Sequence, residues 1–167
     1  APMEAEFADP AWVFGRSSYG FRDDGTIVAV GRRAGRDRLF EIRPGELIGE
    51  VDSELTELEG LVVGPSLAVA LTGAPDRPSA VTAFDPVTLA PVATLQVASP
   101  GELDAAFLSR PEPFSFATSG GRTAHALFYP PTNPAAEAPE GELPPLVVLS
   151  HGGPTANAST ALDLSKQ

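Results

Sequence analysis

The chain has 167 residues, the length of one domain or of parts of two, and at 43% apolar and 20% charged it is too apolar for a disordered chain. Lys and Arg number 11 against 22 Asp and Glu, a net charge of −11 with Lys166 the only Lys, so the basic patches that nucleic acid or an anionic membrane would need are missing. The absence of Cys excludes disulfides, thiolate catalysis and Cys-type zinc sites, and two His leave little for a histidine metal site, so no cofactor or metal is expected.

With 16 Gly and 18 Pro, short strands are favoured over long helices. No apolar run approaches the ~18–20 residues of a membrane span. Ala1-Pro2 does not read as a natural start, so the lack of a basic-then-apolar leader decides little about compartment. A cytoplasmic location is favoured.

In chain order, strands are expected at Ala11 to Phe14, Thr26 to Val30, Arg38 to Ile42, Glu46 to Val51, Ser66 to Leu71, Ala80 to Phe84 and Pro91 to Val97. Trp12 and Phe14 are assigned to the core. Asp23-Asp24-Gly25 reads as a turn, because the later positions of a calcium loop are Ile, Ala and Gly. Ala34-Gly35 is a second turn. The one helix candidate is short and acidic, Ser53 to Glu59. Asp52, Glu54, Glu57 and Glu59 make an acidic cluster, read as a solvated loop before a cation site. Arg32, Arg33, Arg36 and Arg38 make a local basic cluster on an exposed hairpin.

The strands echo. Ile27 to Leu67 is an offset of 40 and Phe40 to Thr82 an offset of 42. A period of about 40–45 residues with four short strands per unit is the size of a propeller blade. A four-stranded sheet cannot cover both its faces alone, so blades stack. A plain antiparallel sandwich with coincidental spacing is the alternative.

A boundary is expected near Ser99 to Glu112, after a last apolar stretch at Leu103 to Ser109. Phe114 to Thr118 and Ala124 to Tyr129 then flank Ser119-Gly120-Gly121-Arg122, a hairpin with a glycine turn. His125 on its second strand reads as a surface histidine. Residues 135–142 form an acidic loop. Leu146 to Leu149 is a continuous apolar run, the pattern of a strand buried on both faces. It leads into His151-Gly152-Gly153-Pro154. Glycines there let backbone N–H groups approach a ligand, and the loop after such a strand builds part of the oxyanion hole in α/β-hydrolases.

From about Glu112 to Pro154 the sequence resembles the start of the catalytic domain in the prolyl oligopeptidase family of serine peptidases, in its acylaminoacyl-peptidase and dipeptidyl-aminopeptidase branch. The family pattern is a hairpin, a strand ending in Pro (here Pro130), a variable loop, a buried strand and His-Gly-Gly-Pro. Ser119-Gly120-Gly121 stands where the family usually has Asp-Gly. The family's catalytic domain follows a β-propeller, in keeping with the echo before Ser99.

The resemblance implies a mainly β chain: about two blades of a β-propeller over residues 1–109, then the linker hairpin and first strands of an incomplete α/β-hydrolase domain over 110–167. It implies a peptidase that hydrolyses short peptides through an acyl-enzyme. His151, Gly152, Gly153 and Pro154 would border the oxyanion site, with His151 orienting the loop. It also implies that one Arg of the propeller could bind the substrate terminus. The chain itself has no Gly-x-Ser-x-Gly: Gly15-Arg16-Ser17-Ser18-Tyr19 and Gly64-Pro65-Ser66-Leu67-Ala68 both fail at the last position. No His follows His151, so no catalytic residue is assigned in this chain and none of its own activity is expected. The nucleophile, acid and base would lie beyond Gln167, on the same or a second chain. Partners expected are a short peptide and the remainder of the catalytic domain, or other copies of the chain meeting at uncovered sheet edges. A His-Gly-Gly carboxylesterase and a non-enzymatic β-rich binding module are the rival readings.

Overall fold

A computed structural model describes residues 3–9, 12–98, 101, 103–153 and 156–167, with the side chains of Leu47 and Ile48 aside. Ten strands follow in chain order: β1 Tyr19–Phe21, β2 Ile27–Arg33, β3 Arg36–Arg43, β4 Glu46–Val51, β5 Glu57–Val63, β6 Ala68–Ala74, β7 Arg77–Phe84, β8 Pro91–Val97, β9 Glu112–Ala117 and β10 Thr123–Phe128. They form two four-stranded antiparallel meanders, β1-β2-β3-β4 and β5-β6-β7-β8, and a separate β9-β10 hairpin. The chain is all-β, and its sheets match propeller blades that do not close into a ring. The second meander repeats the first. Ile27 opening β2 and Ala68 opening β6 are 41 positions apart, as are Arg36 opening β3 and Arg77 opening β7.

The turns follow from local chemistry. Asp24 accepts from the Thr26 N–H at 2.9 Å and closes the β1–β2 turn. The two-residue turn between β2 and β3 has both residues at positive φ, Ala34 at 49° and Gly35 at 75°. That conformation matches the strand twist but strains a residue with a Cβ.

The two meanders pack face to face. Val28, Val30 and Leu39 from the first meet Leu58, Leu61, Ala68, Ala70, Phe84 and Leu89 of the second in one apolar cluster. Backbone bonds cross between them: Leu61 N–H donates to Ser17 O at 2.9 Å and Asp37 N–H to Thr56 O at 3.0 Å. Within each sheet the fourth strand is outermost, and β8 is exposed along its whole length.

Three expectations are corrected. Residues 12–14 form a turn and not a strand, with Trp12 66% and Phe14 94% exposed; Ala11 lies outside the described residues. Upstream of β1 the described residues make an isolated bridge, Glu6 with Arg32, and ladder pairing begins at β1, which has β2 to bind. The acidic helix at Ser53 to Glu59 does not form. The Thr56 and Leu58 amides are held by Gly73 O and the Asp37 carboxylate, which draws this stretch into an extended strand. Leu146 to Leu149 pairs with no strand among the described residues and is between 66% and 80% exposed. A strand of this type needs neighbours on both edges, and the described residues present none to it.

Candidate functional site

His151 follows the exposed, unpaired Leu146–Ser150 stretch and is itself exposed, its Nδ1 3.5 Å from Gly152 O. Gly153 has φ 78°, and a Cβ at Gly152 or Gly153 would meet nothing within 4 Å. The loop is therefore open, with backbone presented freely on this side. Pro154 lies outside the described residues. His125 is remote in role: it sits opposite Ser115 in the β9-β10 ladder, with its Nδ1 2.8 Å from the Ser115 hydroxyl.

Beyond the loop the chain docks on the blades. Asn157 and Ser159 wall a groove of about 720 Å³, with Arg16, Arg32, Asp37 and Glu59 on its floor and sides. Arg32 Nε donates to Asp37 Oδ1 at 2.8 Å, and its Nη1 to Asn157 Oδ1 at 2.7 Å. Asp37 is almost fully buried and its other oxygen accepts the Leu58 N–H at 3.0 Å. Burial works against the Arg32 charge, but the hydrogen bond and charge of Asp37 outweigh it and raise the guanidinium above its usual range. Glu57, the next acid on this wall, is pushed up by burial, against a hydrogen bond from Ser159; Glu59 and Asp37 push the same way and Arg32 opposes.

The sequence clusters resolve into separate pairs. Glu59 binds Arg16 at 3.0 Å and Glu54 binds Arg77 at 3.0 Å, while Asp52 is exposed. Arg33 and Arg38 both take Glu50, and Arg38 also donates to the Ser53 and Leu55 carbonyls. Among the described residues no three His, Asp or Glu side chains come together in a form that could hold a metal ion. Sequence reasoning marked Arg32 as one of a basic run but missed its partner Asp37. The available signal was an acid set directly between Arg36 and Arg38 and five positions from Arg32.

No protein-family model and no curated protein matches the chain. Solved structures do. A puromycin-hydrolysing peptidase of Mycobacterium tuberculosis superposes with a TM-score of 0.88 at 36% identity, over 99% of this chain and 26% of that one. A puromycin hydrolase superposes at 0.84 with 33% identity, over 98% of this chain and 25% of that one. The same values hold for a serine-to-alanine variant complexed with PGG. The chain thus spans about a quarter of the length of the solved proteins it matches. With the strand echo, the hairpin and the His-Gly-Gly loop in the expected order, the chain belongs to the prolyl oligopeptidase family of peptidases.

Proposed function

We propose that the chain is part of a serine peptidase that cleaves short peptides or aminoacyl amides through an acyl-enzyme. Residues 1–109 would supply two propeller blades, and 110–167 the linker and the entry of the α/β-hydrolase domain. The observation that carries this reading is the likeness to puromycin-hydrolysing peptidases along 99% of the chain. The His151-Gly152-Gly153-Pro154 loop would border the oxyanion site, its glycines letting backbone N–H groups face a developing negative charge. The nucleophile, acid and base would come from the remainder of the catalytic domain. The blades would narrow access, so that short substrates enter, and one of their arginines would meet the substrate terminus. An aminopeptidase specificity fits the neighbours better than an acylaminoacyl one, since puromycin carries a free α-amino group.

The test uses the full-length protein against puromycin, aminoacyl and N-acylaminoacyl nitroanilides and a simple ester, with a serine-reactive phosphonate as label. Hydrolysis of the free-amino amides, and labelling outside residues 1–167, are expected. Labelling within 1–167, or turnover of the ester alone, would overturn the reading, the latter in favour of a carboxylesterase.

A further inference from the structure

We propose that Arg32 is a positioning residue that clamps the segment following the His151–Gly153 loop onto the blades and so sets where that loop lies. Its consequence for catalysis rests on the peptidase reading above. The clamp itself rests on geometry. Arg32 is fixed from both sides. Its backbone N–H donates to Glu6 O at 2.7 Å and its C=O accepts the Glu6 N–H at 2.9 Å, and its Nε is held by a carboxylate that is in turn anchored on the second sheet. The remaining arm of the guanidinium reaches Asn157.

Asn157 lies four positions after Gly153, so a fixed Asn157 confines the glycine loop to within about 14 Å of it. The segment has further anchorage beyond that point. Leu162 N–H donates to Ala74 O at 2.8 Å, and Thr160 and Ala161 are buried. Gly73 makes the close approach feasible, because a Cβ there would stand 2.7 Å from the Ala161 Cβ. Arg32 is the contact of this set nearest the loop. A guanidinium suits the task, since its planar fork serves two acceptors at once where an ammonium serves as one point charge.

The experiment uses the full-length protein, with any cysteine outside residues 1–167 replaced by serine, and a nitroxide on Ala158→Cys, an exposed position in a stretch with no cysteine of its own. Asn157→Ala leaves the Arg32–Asp37 pair intact, so it reads the clamp without cutting the blade. Arg32→Lys is the conservative partner variant. Both are expected to mobilise the label, and the double variant to mobilise it no further. Both should lower kcat about fivefold with KM little changed, the loss of one partly exposed charged hydrogen bond. An immobile label in Asn157→Ala, additive effects in the double variant, or a mobile label with kcat unchanged would overturn the proposal. A protein that hydrolyses nothing while the label responds as expected would overturn the peptidase reading and leave the clamp supported.

Discussion

The Asp37 carboxylate, at the head of β3, accepts the amide N–H of Leu58 in the neighbouring sheet at 3.0 Å while its second oxygen holds Arg32. One buried side chain thus joins the two meanders across their apolar cluster. Removing it leaves an amide without its partner and a half-buried guanidinium without its counter-charge. Asp37→Ala is expected to cost about 2–3 kcal/mol, discounted for the partial exposure of Arg32. Asp37→Asn should recover little, because its NH2 group turns a donor toward a donor. Urea denaturation followed by Trp12-independent far-UV signal checks this, and an unchanged midpoint for Asp37→Ala would refute it.

Arg22 makes the second joint. Its guanidinium is 14% exposed, pairs with Glu41 of β3, and donates to the Pro86 and Val87 carbonyls in the turn between β7 and β8. Fork geometry is what reaches all three acceptors. Arg22→Lys keeps the charge but loses carbonyl contacts, and about 1–2 kcal/mol of stability should go with them. If thermal melts of Arg22→Lys overlay the parent, this joint contributes only contact and no energy.

Both joints explain how much of the fold was legible. β2, β3, β4, β6, β7 and β8 announce themselves through β-branched and apolar runs between turn residues, and β8 falls at Pro91–Val97 as expected. β1 and β5 do not. β1 is three residues long, and β5 carries Glu57, Glu59 and Gly60. Their strand character comes from partners: β2 for the first, and for the second β6 together with the Asp37 carboxylate. Trp12 and Phe14 failed as core residues for the converse reason, since apolar type does not supply a covering surface. The His151 loop stood out in the sequence because two glycines before a proline carry a backbone meaning by themselves. Its anchorage was not, because Arg32 and Asn157 are 125 positions apart.

Ala34 offers a test of local strain. It sits at φ 49° in the two-residue turn before Gly35. A Cβ costs roughly 1 kcal/mol in this region, and Asn is the side chain that tolerates it best at the first turn position. Ala34→Asn should raise stability by about 0.5–1 kcal/mol without touching any packed residue. Calorimetry decides it: a lower Tm would show that the turn is held by something other than its backbone preference.

Glu57 carries the last prediction, in which acid and stability move together. Burial raises its carboxyl above the ordinary 4.5, with Glu59 and Asp37 adding to the effect and Ser159 and Arg32 opposing it. Lys166 also senses this carboxylate, from the docked C-terminal segment. A carboxyl whose folded value is raised binds its proton more tightly when folded. Its contribution therefore falls as pH climbs from the unfolded value to the raised one, and the full cost persists above that. Asp24, Asp85 and Asp163 work oppositely: local hydrogen bonds from Thr26, Thr88 and Lys166 respectively hold them low, so their stabilisation is lost in strong acid. The whole-protein melt mixes the two senses, and the variant separates them. Glu57→Gln should melt higher than the parent at pH 7, and the gap should close as pH falls toward 4.5. A gap that stays constant from pH 7 to 4, or that widens in acid, would show that the Glu57 proton is not what the docked segment responds to.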